Sequence, residues 1–100
     1  MRGKDFEHPF LTARVDPGDV LIREIDGESV LLNLDTGRYH GLDEVGTSFW
    51  RALTTSASIE AAFEQLSSEY DVAPDVLRPD LLRLVEQLDA QGLIVLHVGE

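Results

Sequence analysis

The chain has 100 residues, 43% of them hydrophobic, enough for one small core and too few for two, so a single domain is expected. It holds no cysteine, which excludes disulfides, thiolate metal sites and a cysteine nucleophile and accords with a reducing compartment. Nineteen acidic residues against eight basic ones leave a formal charge of -11, a field that repels nucleic acid and suits a basic or apolar partner.

Residues 1–18 mix charge, proline and glycine without a period and read as a flexible N-terminal arm ending at "DPGD", ahead of a domain spanning 19–98. "MRGKDFEHPF" lacks the apolar core of a secretory signal, and no run reaches the ~20 apolar residues of a membrane span. A cytoplasmic chain without membrane contact is expected. "VLIREI" (20–25) and "ESVLLNL" (28–34) are β-rich runs separated by Asp26-Gly27, the two-residue signal of a tight hairpin. A second turn, "DTG" at 35–37, supplies a glycine for a left-handed position and returns the chain as "RYHGL" (38–42), making a three-stranded antiparallel meander.

Asp43 is a good helix N-cap, with Glu44 in the first turn and Val45, Phe49, Ala52 and Leu53 at helical spacing, so a helix is expected over about 43–54. Ser58 caps a second one, about 58–69, whose apolar face is Ile59, Ala62, Phe63, Leu66 and Tyr70. "YDVAP" leads to a third, longest helix ending near Gly92, followed by Leu93–Leu96 as an extended or packed segment. Pro79 removes an interior hydrogen bond, so the regular part of this helix is expected to start near Arg78. At ~100° per residue, Leu77, Leu81, Leu84 and Leu88 form a core stripe. Arg78, Leu82, Val85 and Asp89 form a neighbouring, half-apolar stripe with no obvious partner inside so small a domain.

Catalytic chemistry is not indicated. His8, His40 and His97 fall in no metal-ligand spacing, the carboxylates sit at caps and solvated helix faces, and there is no phosphate loop or nucleophile elbow. The three helices and sheet suggest a winged helix-turn-helix, which raises DNA binding, but "RPDLLRLVEQLDAQG" sets two arginines against Asp80, Glu86 and Asp89 where phosphates would lie. The third strand is an edge, because the chain leaves it directly for the first helix. Such an edge offers N–H and C=O groups to another extended chain, or to a second copy in a homodimer. Leu82 and Val85 then have two readings: the helical wall of a groove beside the edge, or packing beneath residues 93–98.

"ESVLLNLDTGRYHGLDEVGTSFWRAL", "SIEAAFEQLSSEYDV" and "DLLRLVEQLDAQGLIVL" together resemble the PqqD-like proteins, the RiPP recognition elements, over about residues 20–96. The resemblance implies an α+β fold, a winged helix-turn-helix made of a three-stranded meander followed by three helices. It implies a non-enzymatic protein, with no cofactor, that binds the leader segment of a ribosomally made precursor peptide as a strand beside the third strand and against the third helix. By position it implies contacts from Arg38, Tyr39, His40, Gly41 and Leu42 on the strand and Arg78, Leu82, Val85 and Asp89 on the helix, with Tyr39 more suited to packing than to contact. Val85→Glu is then expected to weaken leader binding without unfolding. "LDTGRYHGLDEVG" is most similar to the stand-alone proteins of lasso-peptide biosynthesis, which work with a separate leader peptidase and other modifying enzymes. The pyrroloquinoline-quinone pathway member usually has a proline-glutamate step where this chain has "NLDTG". A winged-helix transcriptional regulator, or another protein-interaction module, is the alternative.

Overall fold

The computed structural model describes residues 12–98. In chain order it comprises β1 (Arg14–Pro17), β2 (Val20–Ile25), β3 (Glu28–Asn33), β4 (Tyr39–Leu42), α1 (Glu44–Thr55), α2 (Ile59–Glu69), α3 (Pro74–Ala90) and β5 (Ile94–His97). The meander is present in the order β2-β3-β4, all antiparallel, and its third strand is β4. Asp26 (φ 55°) and Gly27 (φ 85°) are both left-handed, the geometry of the primed hairpin turn whose twist matches that of the flanking strands. At the second turn, Gly37 (φ 76°) donates its N–H to the Asn33 carbonyl at 2.8 Å, and Asn33 donates to the Arg38 carbonyl at 2.9 Å. Two residues there oppose one, a bulge built on a left-handed glycine.

The helices start where the caps say. The Asp43 carboxylate accepts the Gly46 N–H at 2.8 Å, and the Ser58 hydroxyl accepts the Ala61 N–H at 3.0 Å. α3 differs from the expected start near Arg78: Pro74 occupies its first turn, where a missing N–H costs nothing, and the helix continues through Pro79. The loss of one backbone bond at Pro79 is outweighed by the burial of Leu77 and Leu81 on either side of it.

Two expectations are corrected by long-range packing. Residues 14–17 are not an arm: β1 pairs antiparallel with β5 in a second sheet, Ala13 and Val15 are buried, and the Ala13 carbonyl accepts the Ile59 N–H at 2.9 Å. The remainder of the supposed arm, residues 1–11, lies outside the described residues. Gly18 allows the close crossing of these ends, since a Cβ there would stand 3.0 Å from the Gly92 carbonyl oxygen. The second correction concerns Leu82 and Val85, which belong to the core, with Val85 0% exposed. From Leu77 to Leu82 the buried arc of α3 spans about 140° of the helix surface. α3 packs against both α2 and β5, which is why two apolar stripes are needed.

Candidate functional site

β4 is paired on one side alone among the described residues. The Asn33–Arg38 hydrogen bond sets the alternation of the β3–β4 ladder: His40 and Leu42 turn their backbone groups toward β3, while the N–H and C=O of Tyr39 and Gly41 face the open edge. Side chains alternate with the same period. His40 and Leu42 share the inner face with Leu31 and Ser29, and Tyr39 and Gly41 share the outer face with Leu32 and Val30. The tyrosine suited to packing by sequence is therefore 72% exposed, because the inner face belongs to its neighbours.

The inner end of the edge is tied to α1. Ser29 Oγ and Thr47 Oγ1 share a buried hydrogen bond of 2.7 Å, and Thr47 also donates to the Leu42 carbonyl at 3.4 Å. The other end is tied to the C-terminus of α3. His40 Nδ1–H donates to Gln91 Oε1 at 3.2 Å, and Asn33 Nδ2 donates to the Gln91 carbonyl at 2.8 Å. Asn33 Oδ1 at the same time accepts the N–H groups of Asp35 and Thr36, holding the turn that precedes β4. Between turn and helix end lies a cleft of about 240 Å³ lined by Asn33, Thr36, Arg38, Ala90, Gln91 and Leu93.

The structure thus joins Arg38 and His40 with the last turn of α3 and not with its first. The Arg78 guanidinium lies 4.2 Å from the centre of the Phe63 ring on α2, and Arg78 is about 18 Å along the helix axis from Ala90. Leu82 and Val85 are buried, and Leu42 is buried as well. Asp89 is exposed. Asn33 and Gln91 went unread in the sequence; an asparagine before the turn is a visible signal, whereas nothing near Gln91 marks it.

The outer face of the three-stranded sheet is open and apolar, with Leu21, Ile25, Val30 and Tyr39 all exposed. Among the described residues no group of three or more His, Asp or Glu is placed to hold a metal ion, and no helix is long and apolar enough to cross a membrane.

Residues 28–94 match the family model described as coenzyme PQQ synthesis protein D (PqqD). The fold is similar to that of TbiB1 in complex with the TbiA(beta) leader peptide, with a TM-score of 0.73 and 34% identity over 79% of this chain and 93% of that one. It is also similar to a lasso peptide synthetase B1 complexed with the leader peptide, with a TM-score of 0.70 and 25% identity over 84% of this chain and 98% of that one. Curated protein sequences give no match. With the family span running from β3 to the start of β5 and taking in the open edge and all three helices, the chain belongs to the PqqD-like family of RiPP recognition elements.

Proposed function

We propose that this chain binds the leader segment of a ribosomally synthesised precursor peptide, of the lasso type, as a strand added to β4, and makes or breaks no bond itself. The observation that carries this reading is the open edge at Tyr39 and Gly41 beside the end of α3, in a fold whose two similar solved structures are both complexes with leader peptides. The N–H and C=O of those two residues supply register, and flanking side chains supply selectivity. A leader that orders on contact loses about 2–5 kcal/mol, which burial and strand pairing must exceed. The contacting set is Arg38, Tyr39, His40 and Gly41, extended by Asn33 and Gln91. Asp89 stands near the helix end, and Arg78, Leu82, Val85 and Leu42 act as structural residues.

The bound leader is then delivered to a leader peptidase or another modifying enzyme, which gains effective substrate concentration by docking the same subunit. A winged-helix regulator is disfavoured by the side chains of α3 themselves. Arg83 is engaged by Asp80 at 2.9 Å and Arg78 lies over Phe63, while Asp75, Glu86 and Asp89 add negative charge.

The test is a fluorescence-anisotropy titration with the leader segment of the precursor encoded beside this chain's gene, against a scrambled leader and a DNA duplex. Saturable binding of the leader alone, at ~1 μM or tighter, is expected. Binding of neither peptide overturns the reading, and binding of the duplex puts the regulator in its place. Delivery is checked separately, by whether adding the chain raises the rate at which the partner peptidase cleaves the precursor.

A further inference from the structure

Asn33 ends β3 at a position where the alternation of the strand calls for an apolar side chain. It shares the inner face with Leu31, is paired with Val20 and is 5% exposed. A polar side chain in such a place costs stability unless it is hydrogen-bonded. The two other buried polar residues among those described, Ser29 and Thr47, satisfy each other. Asn33 instead directs its polar groups to the two walls of the cleft beside β4.

On the strand side, Oδ1 accepts the N–H of Asp35 at 2.9 Å and that of Thr36 at 3.2 Å, while the backbone of Asn33 holds Gly37 and Arg38. On the helix side, Nδ2 donates at 2.8 Å to the carbonyl of Gln91, the residue that caps α3, for which the helix supplies no partner. Two N–H groups on one side and a carbonyl on the other admit one orientation of the amide. Gly92 lets the helix end come this close: its backbone is left-handed, φ 71°, and a Cβ on it would stand 3.4 Å from Nδ2.

We infer that Asn33 is a positioning residue for the added strand, fixing the spacing between the open edge of β4 and the C-terminal end of α3. The inference rests on the strand-addition reading above and names the residue that holds its groove at one width. One planar amide carries an acceptor for the turn that launches β4 and a donor for the helix end, so it couples the two walls. Leucine, of similar size, has neither group, ionised aspartate has acceptors alone, and glutamine is a methylene longer. A strand that pairs with Tyr39 and Gly41 and reaches Gln91 then meets both walls already in place, which lowers the ordering cost of binding.

The experiment is an anisotropy titration of the full chain and its variants with the leader segment of the neighbouring precursor, with folding checked by far-UV circular dichroism and amide protection by hydrogen exchange. Asn33→Asp keeps the two acceptor bonds and sets a carboxylate against the Gln91 carbonyl at the negative end of α3. Its leader affinity is expected to fall at least tenfold, while the amides of Asp35 and Thr36 stay protected and those of Gly92 and Leu93 lose protection. Asn33→Ser serves where the buried carboxylate unfolds the chain: its hydroxyl still accepts from the turn but is too short to reach Gln91, and a severalfold loss is expected. Gln91→Ala keeps the carbonyl and removes the bond to His40, so combined with Asn33→Ser its loss is expected to fall short of the product of the two single losses, since both act on one spacing. Wild-type affinity in a folded Asn33→Asp or Asn33→Ser, independent losses in the double variant, or deprotection confined to Asp35 and Thr36 overturns the positioning role and leaves strand addition standing. Absence of any leader binding by wild type overturns both.

Discussion

The two faces of the three-stranded sheet are both apolar in sequence, yet only the inner one carries core residues, and there Ile22 on β2 still stands 40% exposed. On the inner face, Leu31 and Leu42 are buried and Ser29 is bound to Thr47 under α1. On the outer face, Leu21, Ile25, Val30 and Tyr39 stand in solvent, with no described element over them. Hydrophobicity alone does not decide burial. The chain exits β4 into α1 on one side of the sheet, and that connection chooses which alternating set becomes core.

That contrast can be broken or sharpened by mutation. The largest effect is expected from Val85→Glu, which places a carboxylate in the core completed by the inner face. A loss of about 3 kcal/mol or more, read as a collapsed urea midpoint or an unfolded far-UV spectrum, replaces the expectation of a folded, binding-defective variant. Leu31→Ala is expected to cost about 2–5 kcal/mol by denaturant unfolding, against less than about 1 kcal/mol for its outer-face neighbour Val30→Ala. Equal costs would mean that the outer face is covered in solution, for which the dependence of the unfolding midpoint on protein concentration is the check. Ser29→Ala strips Thr47 of its short hydrogen bond and is expected to cost about 1–2 kcal/mol, with the end of β4 losing hydrogen-exchange protection first. Tyr39→Ala closes the series: unchanged stability within about 0.5 kcal/mol and weaker leader binding by titration, since the ring contributes to the surface and not to the core.

Legibility in the sequence followed the range of the interaction. Asp26-Gly27, the glycine of the second turn, and the caps Asp43 and Ser58 act within a few residues, and each appears where its chemistry requires. The open edge of β4 was legible for a similar reason, because no other stretch of the chain was a sure partner for it. The ordered set of turn, aromatic strand and leucine-rich helix was also enough to suggest the family that residues 28–94 match.

The functional geometry was legible only in part. Arg78, Leu82, Val85 and Asp89 share a helical stripe, and a stripe states which residues face one way without stating what they face. Their surroundings were settled by α2, whose Phe63 takes Arg78, and by β5, whose pairing with β1 joins residues about eighty apart and leaves no periodic trace in either segment. The same docking brings Gln91 to Asn33 and His40, so the helix meets the edge at its C-terminal end. By itself the sequence determined the turns, the caps, the alternating strands and the charge, all set by local backbone and solvation energetics. Only the tertiary structure decided which sheet face is buried and which end of α3 meets the edge, because these depend on contacts between segments whose separation no local preference records.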